Sequence, residues 1–184
     1  MKCGCALCRA CETREQCASE TIALFPGIDL HYVSLTGETP PDCVYSADYT
    51  LLIWHCRRGS LAWRGRDGRR AALAPDDCAL NAAAAWDALT AEPGGEAFEG
   101  LCMSVDLKKL TEQPAELIAE ANVTGEALWD KFCTSPLSPA PADDTLRALL
   151  QGFYADVGDS DSPLRLSWRR ARAIELLLYL SRPE

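Results

Sequence analysis

The sequence predicts an α+β fold in which a small antiparallel β-barrel or sandwich is followed by a helical region. From Ile22 to Asp106 the chain is a series of short apolar segments separated by Gly, Pro and Asp clusters, a spacing typical of antiparallel sheets. After Asp106 the apolar residues recur at intervals of three and four, as on one face of a helix. The length of 184 residues and the hydrophobic fraction of 48% suit one well-buried core.

The clearest β signal is the segment SLAWRGRDGRRAAL, residues 60–73. Gly65, Asp67 and Gly68 supply turn conformations between two strand candidates, so we expect a β-hairpin here. The arginines around this hairpin are interpreted as charged strand edges that discourage aggregation, in preference to a phosphate-binding patch.

Short helices are expected directly after the sheet. Asp106 is a candidate N-cap for a helix through about Thr111, and Thr124 is a candidate N-cap for the helix GEALWDKF. Pro114 suits the first turn of the helix between them. Three prolines in residues 134–144 then separate these helices from the rest of the helical region.

Two longer amphipathic helices end the chain and are expected to form a helical hairpin. The first is DDTLRALLQGFYADV, and the second is expected to have Ser162 as its N-cap and Pro163 as its first residue. The second helix is apolar over a wider stripe than packing on one side requires. We interpret the surplus as the interface of a homodimer, with simple packing on the barrel as the alternative. The predicted interface residues are Leu164, Trp168, Ala171, Ile174 and Leu178.

Charge and hydropathy argue against nucleic-acid binding by this chain alone and against a membrane-spanning protein. The net charge of −9 makes this chain alone a poor binder of nucleic acid, which is bound mainly through Lys and Arg. No apolar run approaches the roughly 20 residues that cross a bilayer. The N-terminus also lacks the apolar region of a signal peptide. We therefore expect a cytoplasmic protein without a membrane partner.

The first 20 residues are expected to form a cysteine-rich head. Cys5, Cys8 and Cys11 have the Cys-x-x-Cys spacing with which thiolates surround one zinc ion or iron-sulfur cluster, and Cys17 is the fourth candidate ligand. Two other interpretations stay open, a metal-free thiol redox sensor and a structural tail. The cysteines farther along the chain are interpreted as small buried hydrophobes.

Residues from about Leu52 to Ser181 resemble the N-terminal effector-binding and dimerisation domain of AraC/XylS-family transcription regulators. The resemblance rests on the order of IWHCRRG, the GRDG turn, LAPDDCAL, GLCMSVDLKKL, GEALWDKFC and WRRARAIELLLYLS. In place of the family's Pro-Gly-Asp turn this chain has Pro75, Asp76 and Asp77. The resemblance implies a cupin-like barrel that binds a small-molecule effector, C-terminal helices that form a dimer, and DNA binding through a helix-turn-helix domain that this chain does not contain. The expected domains are 1–20 (head), 21–106 (barrel) and 107–184 (helical dimerisation region).

The candidate effector-binding residues are the histidines and the aromatic residues of the predicted strands. They are His31, Tyr32, Trp54, His55, Trp63 and Trp86. For the histidines the alternative is a hydrogen-bonded structural role, and for the tryptophans it is core packing.

An enzyme is not expected. Metal-dependent cupin enzymes need two or three histidines and a carboxylate around one ion, and the chain has only two histidines, His31 and His55. The alternatives to a regulatory sensor are a cupin-type metal-dependent enzyme and a dimerisation module that binds no ligand.

Overall fold

The computed structural model describes residues 17–35, 49–65, 68, 70–82, 86–91, 97–134, 140–155 and 164–183. Strands come first and helices follow, which confirms the predicted α+β fold. The strands are β1 (Cys17–Phe25), β2 (Ile28–Leu35), β3 (Thr50–Arg58), β4 (Leu61–Gly65), β5 (Arg70–Leu73), β6 (Asp77–Ala82), β7 (Trp86–Ala91), β8 (Phe98–Asp106) and the short β9 (Ala140–Pro141). The helices are α1 (Leu107–Glu112), α2 (Glu116–Glu120), α3 (Gly125–Phe132), α4 (Asp144–Gly152) and α5 (Arg165–Leu180).

The described strands form two antiparallel sheets. The main sheet has the order β1-β2-β8-β3-β6-β9, and the small sheet has the order β5-β4-β7. Strands β4 and β5 pair antiparallel from Leu61 opposite Leu73 to Arg64 opposite Arg70, which confirms the predicted hairpin. Strand β8 lies between β2 and β3, so the last long strand of the sheet occupies its centre.

The two faces of the main sheet are buried differently, because successive side chains of a strand point to opposite faces. One face packs against the helices and contributes Ile28, Leu30, Leu51, Ile53, Leu101, Met103 and Val105 to a common core. The other face points away from the helices and carries a second set of buried side chains, which are Val33, Leu35, Leu52, Trp54, Cys56, Phe98 and Cys102. Two buried environments are therefore available to polar residues of the sheet.

Local capping sets where the short helices begin. The Asp106 side chain accepts from the backbone N–H of Lys109, and the Thr124 side chain accepts from the N–H of Ala127, so both predicted caps are confirmed. Helix α2 begins at Glu116 with Ala115 as its N-cap, two residues after the predicted start at Pro114. Proline cannot donate a backbone hydrogen bond, and here it lies just before the first helical turn instead of within it.

The two long helices form the predicted hairpin and close one side of the main sheet. Asp143 caps α4 by accepting from the N–H of Leu146. Helix α5 begins at Arg165, and its N-cap Leu164 makes no side-chain capping bond; the predicted cap at Ser162 and first residue at Pro163 lie outside the described residues. The guanidinium Nε of Arg170 donates to the backbone oxygen of Leu24, which fixes α5 to strand β1.

The N-terminal part of the described chain belongs to the main sheet. Strand β1 begins at Cys17, where it pairs with Leu35, so the last residues of the expected head already have β structure. Cys5, Cys8 and Cys11 lie outside the described residues, and their predicted metal site stays a prediction. None of the described helices has the length and apolarity required to span a membrane.

Candidate functional site

His31 and His55 lie on opposite faces of the main sheet. His55 follows Ile53 on the face that packs against the helices, whereas His31 alternates with Leu30 and Tyr32 and points to the other face. Both histidines were predicted to contact one effector. The structure instead places each of them in its own polar surroundings.

His31 is a hydrogen-bonded residue of the face remote from the helices. Its Nδ1 lies 2.9 Å from the hydroxyl of Thr21, and its Nε2 lies 3.1 Å from the hydroxyl of Ser104. Burial lowers the pKa of His31 from 6.5 to about 4. The ring is therefore neutral at physiological pH and has a partner at each nitrogen.

The three predicted tryptophans are only partly described. Trp54 is buried on the same face as His31, and its ring centroid lies 6.4 Å from that of Phe98. Trp63 pairs with Ala71 and Leu89 in the small sheet, and Trp86 pairs with Gly65. The side chains of Trp63 and Trp86 lie outside the described part of the structure, so their predicted contacts with an effector stay a prediction.

Tyr32 and His55 lie in one row across three neighbouring strands on the helix-packed face. Tyr32 is opposite Leu101 in β8, and Leu101 is opposite His55 in β3. Tyr154, just after α4, lies against both ends of this row. Its ring centroid is 6.2 Å from that of Tyr32 and 5.6 Å from that of His55.

Hydrogen bonds join this row to the end of α4. The Tyr32 hydroxyl donates to the backbone oxygen of Phe153, and the Tyr154 hydroxyl lies 3.0 Å from Nδ1 of His55. Burial lowers the pKa of His55 and raises the pKa of both tyrosines. All three side chains are therefore uncharged at neutral pH.

Arg169 of α5 is the charged member of the same region. It is only 4% exposed, and its guanidinium carbon lies 5.2 Å from the ring centroid of Tyr32. Among the described residues, its Nε and Nη2 have no hydrogen-bond partner, and the same is true of Nε2 of His55, which is 1% exposed. Unpaired buried polar groups are costly and rare in folded proteins. We call Tyr32, His55, Tyr154 and Arg169 the sheet–helix cluster.

The predicted dimer-interface residues lie on the outer side of α5. Leu164 is 60% exposed and Trp168 is 59% exposed, while Leu178 and Ala171 are also exposed and Ile174 is half-buried. The residues that pack α5 on the protein are a different set, Arg169, Ala173, Leu176, Leu177 and Leu180. Ile174 packs in part against the core, whereas Leu164, Trp168, Ala171 and Leu178 are exposed in the described part of the chain.

The described residues contain no group of three or more His, Cys, Asp or Glu side chains arranged to hold a metal ion. Cys56 and Cys78 are buried free thiols, and burial raises the pKa of Cys56 to about 12 and that of Cys78 to about 11. Thiols with such pKa values are protonated at neutral pH and are weak metal ligands and nucleophiles. Cys17 is described only by its place in β1.

Sequence reasoning missed two members of the sheet–helix cluster. Tyr154 lies in the segment DDTLRALLQGFYADV and Arg169 in the segment WRRARAIELLLYLS, and neither was among the candidate effector-binding residues. The spacing of Arg169 to Ala173, Leu176, Leu177 and Leu180 follows the buried stripe of the helix, and that spacing was a usable signal.

The sequence matches no family model and no curated protein. Solved structures with similar chains include ToxT from Vibrio cholerae, at 9% identity over 81% of this chain and a TM-score of 0.47. CuxR, an AraC-like transcriptional activator, aligns at 12% identity over 86% of this chain with a TM-score of 0.41. An RmlC-like cupin from Desulfovibrio desulfuricans aligns at 8% identity over 58% of this chain with a TM-score of 0.40.

The aligned region spans 54% of the ToxT chain, 54% of the CuxR chain and 97% of the cupin chain. Cupins and AraC-like regulators are thus among the structures to which this chain is similar.

Proposed function

We propose that this chain is the effector-sensing and dimerisation domain of an AraC-type transcription regulator and that it is not an enzyme. The observation that carries the proposal is the pair of hydrogen bonds from Tyr32 and His55, two predicted effector-contacting residues, to the end of α4. A molecule bound against these side chains would change the contacts of Phe153 and Tyr154. Because α4 packs against α5, the change would reach the helix that ends the described chain.

The mechanism is a population shift between two arrangements of the helical hairpin on the sheet. An effector with higher affinity for one arrangement increases its population by an amount set by the difference in affinity. In the regulator, a helix-turn-helix domain outside this chain would convert that difference into promoter binding. The net charge of −9 agrees with DNA binding through a separate domain.

The dimer is proposed to form through the exposed stripe of α5. Leu164, Trp168, Ala171 and Leu178 recur at four-, three- and seven-residue intervals, the spacing of a helix that packs against another helix. A second copy of the chain presents the same stripe, so a two-fold axis beside α5 covers both at once. A half-exposed tryptophan at the centre of such a stripe is typical of the residues that dominate binding energy.

The first experiment measures the dimer by sedimentation velocity on the whole chain. We expect Trp168→Glu to shift the protein from dimer to monomer, because it buries a charge at the centre of the interface. Leu117→Glu is the matched control, since Leu117 of α2 is 56% exposed and lies outside the α5 stripe. A monomeric parent chain, or equal behaviour of the two variants, would refute the dimer.

The second experiment measures transcriptional repression. The chain is fused to a DNA-binding domain that represses a reporter only as a dimer, and repression is compared between the parent and Trp168→Glu. We expect repression from the parent fusion and its loss in the variant. Repression that does not depend on Trp168 would separate the α5 stripe from the regulatory role.

The positions of the histidines favour a sensor over a cupin-type enzyme. The usual catalytic centre of such enzymes needs several histidines on one ion. His31 and His55 are on opposite faces of the sheet, and both nitrogens of His31 already have hydroxyl partners. The third alternative, a dimerisation module without a ligand, predicts that no small molecule changes the state of the hairpin.

The cysteine head is a second proposed input. Cys5, Cys8, Cys11 and Cys17 are proposed to bind zinc or an iron-sulfur cluster and to make the regulator responsive to metal or redox state. The spacing in the sequence is what supports this proposal. Metal analysis of anaerobically purified protein tests it, and native protein without stoichiometric zinc or iron would refute it.

A further inference from the structure

The sheet–helix cluster has the features of a site for a small organic anion. We propose that it binds an oxyanion, the carboxylate or phosphate of a small molecule, through the guanidinium of Arg169. The proposal rests on the burial, hydrogen bonding and charge of these side chains, and it stands apart from the identity of any regulator.

The unpartnered atoms of Arg169 define the geometry of the ligand. Nε and Nη2 are the two nitrogens on one side of the guanidinium, and together they form the edge that holds two oxygens of a carboxylate or phosphate in a bidentate pair. This edge belongs to a side chain that is 4% exposed. Because Arg stays protonated, it is a buried positive charge in need of a counterion.

The remainder of the site is aromatic and contains a second donor. The guanidinium carbon of Arg169 lies over the ring of Tyr32, and Tyr154 lies between Tyr32 and His55. When the Tyr154 hydroxyl donates to Nδ1 of His55, the ring proton lies on the unpartnered Nε2. Tyr32 and His55 are two strands apart, roughly 10 Å. The ligand is therefore a molecule with an oxyanion at one end and a hydrogen-bond acceptor at the other.

Charges around the cluster favour an anion. The guanidinium of Arg57 lies 5.1 Å from the ring centroid of Tyr154, and Arg165 acts electrostatically on Tyr32. Glu20, opposite Tyr32 in β1, and Asp76, near His55, are the facing carboxylates. Within the described chain neither carboxylate forms an ion pair with Arg169.

Occupancy would couple the sheet to both long helices. Tyr32 and His55 belong to the sheet, Tyr154 follows α4, and Arg169 belongs to α5. Tyr32 and Tyr154 are half-buried and Arg169 is only 4% exposed, so a ligand must displace Tyr154 or shift α5 to reach the guanidinium edge. The identification of this oxyanion as the effector rests on the proposed function, whereas its binding does not.

The test observes Arg169 directly in the whole chain by NMR of the arginine Nε–Hε groups. The probes are benzoate and inorganic phosphate, each compared with sodium chloride at equal ionic strength. We expect a saturable shift of the Arg169 resonance with at least one probe and no saturable shift with chloride. Arg172, on the same helix and paired with Glu175, is the internal reference that does not respond.

Two substitutions connect the shift to the guanidinium edge. Arg169→Met keeps the packing of the stem and removes the charge, so we expect the affinity for the probe to fall by about tenfold to a hundredfold. Arg169→Lys keeps the charge but loses the bidentate edge. Its affinity for the probe is expected to lie between that of the parent chain and that of Arg169→Met. Arg172→Met is the matched control and leaves binding unchanged.

Three results would overturn the site: no saturable shift with either probe, an equal shift with chloride, or unchanged binding in Arg169→Met. The reporter fusion separates this proposal from the proposed function. Binding that depends on Arg169 without any reporter response keeps the oxyanion site and refutes its role as the sensor. A reporter response that survives Arg169→Met refutes the oxyanion site as the effector site and keeps the regulator.

Discussion

At the scale of single residues, His31 is a buried, neutral histidine that stabilises the sheet through its hydrogen bonds. Its two hydroxyl partners satisfy both nitrogens, and burial penalises the charged ring, which lowers its pKa from 6.5 to about 4. The folded state therefore binds fewer protons than the unfolded state between these two values. The free energy of unfolding gains a His31 contribution above pH 6.5 and loses it as the pH falls towards 4.

This linkage predicts a pH-dependent stability difference between the parent chain and His31→Gln. As the pH falls from 6.5 towards 4, the free energy of unfolding of the parent is expected to decrease more steeply, by up to about 1.4 kcal/mol per pH unit. Urea unfolding at several pH values gives both curves. His55 is present in both proteins, so its own lowered pKa cancels in the comparison. Parallel curves would show that His31 does not titrate differently on folding.

Buried polar residues are where sequence reasoning was weakest. His55 was recognised as a candidate, because a histidine among apolar strand residues is visible in the sequence. Arg169 and Tyr154 were not. The helical spacing of Arg169 indicates the buried stripe of α5, but the contacts of Arg169 with Tyr32 and of Tyr154 with His55 depend on how α4 and α5 meet the sheet. Arginine is mostly exposed in folded proteins, so residue type alone did not indicate that Arg169 is buried.

At the scale of secondary-structure elements, local chemistry was predictive. The Asp106 and Thr124 caps and the β4–β5 hairpin depend on contacts within a few residues, and the sequence alone indicated them. The starts of α2 and β1 were displaced from the predicted positions. Strand β1 extends to Cys17 because β2 provides a partner as far as Leu35, and that pairing is not encoded within β1.

The N-cap of α4 has a role beyond its own helix. Asp143 accepts from the N–H of Leu146 and from the hydroxyl of Tyr179 in α5, and these bonds lower the pKa of its carboxyl. We expect Asp143→Ala to reduce the free energy of unfolding by about 1 kcal/mol through loss of the cap. Chemical denaturation measures the change.

Asp144→Ala is the neighbouring control for this substitution. Asp144 lies in the first turn of α4, and its fully exposed side chain pairs with Arg147. Exposed pairs of this kind contribute little to stability, so the control is expected to lose about 0.5 kcal/mol or less. If both substitutions had equal effects, general charge at the start of the helix, and not the cap, would account for the stability of α4.

At the scale of the whole molecule, the sheet and the helices share one hydrophobic core. Leu101 and Met103 of the central strand belong to the same buried cluster as Leu149 of α4 and Leu176 of α5. The order of strands in the main sheet, with β8 between β2 and β3, comes from long-range pairing that the sequence did not specify. The predicted fold class was confirmed because it needs only the succession of short strands and amphipathic helices.

A shared core predicts that α5 and the main sheet lose their structure together. Leu176→Ala removes a fully buried side chain and is expected to reduce the free energy of unfolding by about 2 to 5 kcal/mol. Native-state hydrogen exchange of the Leu101 and Leu177 amides reports on the sheet and on α5, respectively. We expect the free energy of opening to decrease equally at the two amides. Leu166→Ala, on the exposed side of α5, is expected to leave the free energy of opening unchanged at both amides. A reduction confined to Leu177 would make α5 an independently unfolding unit, and contacts at the sheet–helix cluster would then be too weakly coupled to the sheet to report an effector.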